Sequence, residues 1–380
     1  MKLKILLILT FNILFISVMH ASIPTDWYFG RRVSYTDAQS LGLAGNDLFK
    51  PTVFLNNPLA KSIGKMTIGL SYNFGFLQER RTKQVYDQFD NSLGELSFAE
   101  NLFTRGNIGN IDFLCPLKFM NIGVNLRPQY IYDYYFYREY RDDFYAKVGE
   151  EELKVIGTTY SASVMLGKEF ANMFGVGAGL NYYFGSRKFT YHDSILNSTP
   201  VDAETTGNPS GIGFTVGISA MPIDQLLIHF NYQSGMNLKN WQNSISKKYP
   251  ANYNLSISYL AAGEIPTKLG LSTQYTDWKV LDSTFQKTIE MGLGIEHTLF
   301  NSVAFRYGFR FEPSFAPPSV HQGLVSIGWG FMIGDVQIDV GADVKRRVIG
   351  SANVWVSNDN TLKIYQNTGE ILIGAKIPIK

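Results

Sequence analysis

Residues 301–312 read Asn-Ser-Val-Ala-Phe-Arg-Tyr-Gly-Phe-Arg-Phe-Glu. Side chains of an extended chain point alternately to its two faces. Val303, Phe305, Tyr307, Phe309 and Phe311 therefore share one face, and Arg306, Gly308, Arg310 and Glu312 share the other. Such a run separates oil from water at every step, and similar runs recur along the whole chain. A closed barrel with lipid outside and water inside satisfies this pattern and leaves no backbone group unpaired.

The mean hydropathy of −0.05 excludes a bundle of membrane helices. It is compatible with a membrane barrel, whose alternating strands average to neutral. The 22 Tyr and 27 Phe suit a lipid-facing band with interfacial girdles. A formal charge of +2, without a dense Lys/Arg cluster, gives no reason to expect nucleic acid.

Lys2 and Lys4, the apolar run Ile5–Val18 and Ala21 predict a secretory signal over residues 1–21. Met19 fits the −3 position poorly, and a retained anchor helix is the competing reading. Cys115 is the only cysteine, so no disulfide within the chain can form. No later apolar stretch approaches the roughly 20 residues of a spanning helix.

Counting alternating segments gives about fourteen strands, an even number as in bacterial barrels. They are expected at 64–78, 105–117, 119–138, 153–169, 173–189, 210–221, 225–236, 252–262, 265–278, 284–299, 301–312, 321–333, 335–347 and 368–379. The least marked is 252–262. Tight connections alternate with longer polar stretches at 79–104, 139–152, 190–209, 237–251 and 348–367, as short periplasmic turns alternate with long outer loops. The barrel is expected to occupy 64–380.

The face opposite Val336, Ile338, Val340, Ala342 and Val344 carries Asp335, Gln337, Asp339, Asp343 and Lys345. With Arg127, Lys268, Glu290, Glu296, Arg306 and Arg310, these predict a lumen rich in both signs of charge. Mutual pairing is one reading of that lumen, and a ligand clamp or selectivity filter is the other. Residues 22–63 lack sustained alternation yet contain Trp27, Phe29, Phe54 and Leu55, which predicts a segment plugging the barrel. Docking beneath the barrel or on a partner is the alternative.

Three motifs resemble FadL-type outer-membrane transporters of long-chain fatty acids and other hydrophobic compounds. Asn57-Pro58-Leu59-Ala60 is similar to the family's Asn-Pro-Ala element before the first strand, with one residue more. Residues 265–278, starting Ile-Pro-Thr and ending Asp-Trp, are similar to its Pro-led strand. Glu296, Arg306–Arg310, Pro313 and Pro317-Pro318 resemble a strand pair before a Pro-bearing loop. The chain departs from many outer-membrane barrels in ending Ile377-Pro378-Ile379-Lys380, without a terminal aromatic.

The resemblance implies fourteen strands, an N-terminal plug and passive passage of apolar compounds, with an inward kink of the third strand opening the wall. Pro128 interrupts that strand and cannot donate to its ladder. With Arg127 and Gln129 it marks the expected kink, a harmless bulge being the other reading. Related plugged barrels of the PorV type bind secretion partners instead, so a secretion-system partner protein stays among the expectations. An open polar porin is a third.

Signals for catalysis are weak. His192, His229, His297 and His321 show no metal-ligand spacing, and no nucleophile elbow, phosphate loop or zinc motif occurs. No enzyme activity, cofactor or metal is expected. Phe89, Leu93, Leu96, Phe98, Leu102 and Phe103 have helix-like spacings, predicting a short amphipathic helix in the first outer loop. The tyrosines from Tyr130 to Tyr140 predict an outer-interface girdle. The residues expected to meet a hydrophobic small-molecule ligand are Phe54, Leu55, Asn57, Pro58, Leu96, Phe98, Arg306 and Arg310. Outer-membrane lipid is the expected surround and a monomer the expected state.

Overall fold

The computed structural model describes residues 23–49, 66–170, 173–196, 198–300, 302–316, 320–350, 354–355 and 362–379. The expected signal segment and the Asn57-Pro58 element, with Phe54 and Leu55, lie outside them. The strands are β1 (Met66–Tyr86), β2 (Ser92–Pro116), β3 in two parts (Asn121–Ile131 and Tyr134–Arg141), β4 (Lys147–Phe170) and β5 (Phe174–Ile195). There follow β6 (Ser210–Ile223), β7 (Leu226–Gln233), β8 (Asn252–Ala261), β9 (Thr267–Asp277) and β10 (Lys287–Leu299). The last four are β11 (Val303–Pro313), β12 (His321–Ile333), β13 (Val336–Gly350) and β14 (Leu362–Ile379).

Each strand pairs antiparallel with the next, and β14 returns to β1 from Leu362↔Lys83 to Ile379↔Met66. The result is a closed barrel of fourteen strands, matching the expected segments one for one, 252–262 included. Alternation is realised as burial: Leu70, Phe74, Ile218, Phe309 and Val344 are exposed on the outer wall, whereas Asn73, Arg306, Arg310 and Asp343 are buried inside.

Four expectations need correction. Much of the chain read as outer loops continues as paired strand. β2 has 25 residues, about 80 Å at the usual rise, where about 9–11 tilted residues cross a bilayer. Beyond the membrane both faces of a ladder meet water, so pairing persists while hydrophobic alternation disappears. Residues 92–103 are therefore strand, not an amphipathic helix; their threefold and fourfold spacings are incidental. The stretch 237–251 is a hairpin, Met236–Gln242 with Ile245–Tyr249, and it buries Leu238, Trp241 and Tyr249. Tyr130, Tyr132 and Tyr134 form no outer girdle: each is 0% exposed and faces the interior, because they alternate on the inner side of β3.

Residues 23–49 lie against inward-facing residues of the barrel. Arg31 and Arg32 pair as a short strand with Ile131 and Tyr130 of β3. A five-residue helix, α1 (Ala38–Gly42), is fixed by a capping box. Asp37 Oδ1 accepts from the Ser40 amide at 2.9 Å, and the Asp37 amide donates to Ser40 Oγ at 3.2 Å. The helix touches the wall at Gly328, where a Cβ would sit 3.0 Å from the Gly42 Cα. Only a glycine permits so close an approach of backbones.

Candidate functional site

The interior has one wall dominated by ion pairs and one dominated by aromatic rings. On the first, Arg306 is held by Glu296 at 2.6 Å and Asp339 at 2.7 Å, all three almost fully buried. Lys268 adds a second cation to Glu296 at 2.6 Å, and Gln39 donates to the same carboxylate at 3.2 Å. Arg310 binds Glu290 at 2.5 Å and Glu312 at 3.3 Å, and Glu312 also accepts from Lys345 at 3.2 Å. Buried charges are tolerated only when paired in this manner. Gln39 and the Arg310–Ala44 carbonyl contact at 3.4 Å tie residues 38–44 to this network.

The second wall is built from β3 to β5 and the hairpin 236–249. Phe29 stacks on Trp241 with centroids 5.7 Å apart. Trp241 Nε1 donates to Tyr249 at 2.9 Å, whose hydroxyl donates to the Phe29 carbonyl at 2.5 Å. Arg187 lies 4.2 Å over the Trp241 ring and 4.8 Å over Tyr28. Its Nη2 donates to the Tyr28 carbonyl at 3.1 Å, while Nε and Nη1 have no hydrogen-bond partner among the described residues. Ring quadrupoles thus stand in for a carboxylate, an attraction of roughly 2 kcal/mol when desolvated.

Between these walls lies the seam of β2 and β3. Their register runs from Pro116↔Asn121 to Ile111↔Leu126 and then stops, while β2 goes on pairing with β1 as far as Ser92↔Tyr86. Arg127–Ile131 instead pairs with β4 on one side and with Arg31 and Arg32 on the other. The β3–β4 register shifts between Pro128 and Tyr130, so Gln129 is the extra residue of a bulge. Higher up, Phe103 stacks on Tyr135 at 6.2 Å and the Tyr137 amide donates to Asn101 Oδ1 at 3.0 Å. Side chains, rather than a ladder, join the two strands there.

The expected site residues are dispersed. Arg306 and Arg310 belong to the paired wall, where carboxylates already occupy both guanidiniums. Arg127, Pro128 and Gln129 occupy the seam, all buried. Arg127 Nη2 donates to Gln129 Oε1 at 3.3 Å, leaving its Nε and Nη1 without a hydrogen-bond partner among the described residues. Leu96 and Phe98 stand on the outer extension of β2: Leu96 is exposed, and Phe98 packs against Ile349, Leu362 and Ile364. Beside them Lys363, Tyr365 and Thr82 hold the Glu95 carboxyl down to about 2. Sequence reasoning did not single out Arg105, Asp133, Arg187, Trp241 or Tyr249. Trp241 and Tyr249 carried a signal, as large apolar side chains in a polar stretch; the other three carried none.

No protein-family model matches the chain, and no curated protein matches it. Solved structures do. A Pseudomonas aeruginosa FadL homologue superposes with a TM-score of 0.63 at 15% identity, over 92% of this chain and 100% of that one. The P. putida toluene transporter TodX gives 0.63 at 8% identity, over 91% and 99%. The Ralstonia pickettii toluene transporter TbuX gives 0.58 at 11% identity, over 91% and 99%. The chain has the fold of these proteins.

Proposed function

We propose that this barrel lies in a bacterial outer membrane and lets hydrophobic compounds cross by diffusion. Residues 23–49 serve as its plug. The observation that carries the reading is the seam. Backbone pairing between β2 and β3 ends at Leu126, at mid-height beside exposed Ile108 and Val124, with the aromatic interior behind it. An apolar molecule can then pass from the interior to the bilayer without entering water, and Pro128 holds β3 off its neighbour.

Affinity comes from desolvation, about 25 cal/mol per Å² of apolar surface buried. The toluene transporters that share the fold support small aromatic hydrocarbons as cargo; the resemblance of the sequence motifs to FadL-type transporters extends the range towards long-chain fatty acids. The test is uptake of tritiated toluene, oleate and sucrose by cells expressing the chain. Entry of toluene or oleate above empty-vector cells, without sucrose, is expected. Equal entry of sucrose would make the chain a polar porin, and no entry at all would reject transport.

A second reading, docking of a secretion-system partner, rests on the outer hairpin ends. Phe89 is 74% and Phe144 90% exposed there. A stoichiometric protein partner retained on an otherwise empty barrel is its expected signature.

A further inference from the structure

Where the ladder between β2 and β3 is missing, an ion pair crosses the seam. Arg105 of β2 donates through Nη1 to Asp133, which lies in the break between the two parts of β3. Asn107, two residues along on β2, donates to the other Asp133 oxygen at 3.3 Å. The contact is semi-dry: the Arg105 side chain is 27% exposed and that of Asp133 12%.

Arg105 has a second property. It lines an inner cavity together with Trp27, Arg31, Ile131 and Asp133. It also lines an outer hollow with Tyr160, Tyr182 and Phe184, of which Tyr182 and Phe184 are exposed on the outer wall. One side chain is thus a shared boundary between the interior and the lipid-facing surface. In the wall from β10 to β13 that boundary is a continuous run of backbone hydrogen bonds, which no single side-chain rotation can open.

We propose that Arg105 and Asp133 form the barrier of the side passage, a polar latch whose opening joins the inner cavity to the outer hollow and sets the rate of exit. This rests on the transport reading above. A guanidinium rotating away from Asp133 needs no backbone change, and its stem can lie along apolar surface while the charge stays at the rim. The latch also selects: an uncharged apolar molecule must wait for it to open, since it offers Asp133 no replacement donor.

Initial uptake of tritiated toluene is to be measured for Arg105→Ala, Asp133→Ala and the exchange Arg105→Asp/Asp133→Arg, with barrel folding checked by heat-modifiable gel mobility. Each single substitution is expected to raise the rate about fivefold, the change set by losing one partly exposed ion pair. The exchange is expected to return it to within about twofold of the unsubstituted chain. Where the unsubstituted chain takes up toluene, unchanged single variants, or an exchange as fast as the singles, would overturn the latch.

A readout independent of transport uses spin labels at Phe103→Cys and Tyr135→Cys in a Cys115→Ser background. Arg105→Ala is expected to weaken their dipolar broadening as the seam widens. Unaltered broadening overturns the latch, whatever is transported. Widening without toluene uptake in any variant retains the latch as a seam device and rejects the transport reading.

Discussion

The wall from β10 to β13 and the seam between β2 and β3 solve the same problem in opposite ways. In the wall, ladder hydrogen bonds run unbroken from Met291↔Phe311 to Ile333↔Val336, and buried ion pairs brace the inner face. Arg306 is locked between two carboxylates, with side-chain exposures of 3% and 4% or less throughout. At the seam the ladder lapses and a partly wet ion pair spans it. Charge buried on all sides makes a rigid surface against which residues 38–44 pack. Charge left at the edge of solvent makes a joint that can part. The same residue types, Arg with Asp or Glu, serve as scaffold in one place and as closure in the other, and burial decides which.

Wall and seam are expected to differ most at Arg306. Substitution to Ala leaves Glu296 and Asp339 short of a cation, and truncating one member of a buried pair costs about 3–5 kcal/mol. Urea unfolding of the folded barrel is expected to show that loss, whereas Arg105→Ala is expected to shift stability by no more than about 1 kcal/mol. Equal losses at the two positions would erase the distinction between wall and seam.

A smaller effect on stability, with a larger one on passage, is expected for Pro128→Ala. The alanine supplies the backbone N–H that proline lacks, allowing β3 to straighten towards β2. Stability should change by less than about 1 kcal/mol while toluene uptake falls several-fold. Uptake equal to that of the unsubstituted chain would show that the bulge at Gln129 is maintained by other contacts, such as the Val33 amide donating to the Gln129 carbonyl at 3.1 Å.

The smallest effect concerns the outer end of β2. Lys363, Tyr365 and Thr82 hold the folded Glu95 carboxyl at about 2 against an ordinary value of 4.5. A depressed carboxylate stabilises above its unfolded value, and that contribution is lost as pH falls towards the folded one. The hairpin joining β1 and β2 is therefore expected to loosen between about pH 4.5 and pH 2, seen as faster amide exchange at 92–97. Exchange at the β10–β13 wall is the internal reference, and parallel acceleration there would remove Glu95 as the cause.

The fold was legible because each membrane-crossing segment must present apolar atoms to lipid. That requirement wrote Val303–Phe311 and Val336–Val344 as plain alternation, and it vanishes where strands rise into water. Residues 92–103 consequently read as loop or helix although they pair with β1, bulging at Leu93 and Phe98. Interior placement was harder to read. Tyr130, Tyr132 and Tyr134 suit a girdle as well as a core, and only the turn of β3 towards Arg31 and Arg32 decides between them. Arg306 and Arg310 were recognisable as lumen residues, but not as residues already satisfied by Glu296, Asp339, Glu290 and Glu312. Arg105 and Asp133 are 28 positions apart on neighbouring strands, and nothing local in sequence marks a pair that matters because a ladder is absent.

The most direct test of the seam is to tie it shut. Phe103→Cys and Tyr135→Cys, in a Cys115→Ser background, can be bridged by a short bis-methanethiosulfonate linker that reductant removes. A matching bridge between Tyr307→Cys and Ile327→Cys, directly paired on β11 and β12, serves as the control. The seam bridge is expected to stop tritiated toluene uptake, reductant to restore it, and the wall bridge to leave it unchanged. Undiminished uptake through a bridged seam would show that cargo does not leave between β2 and β3.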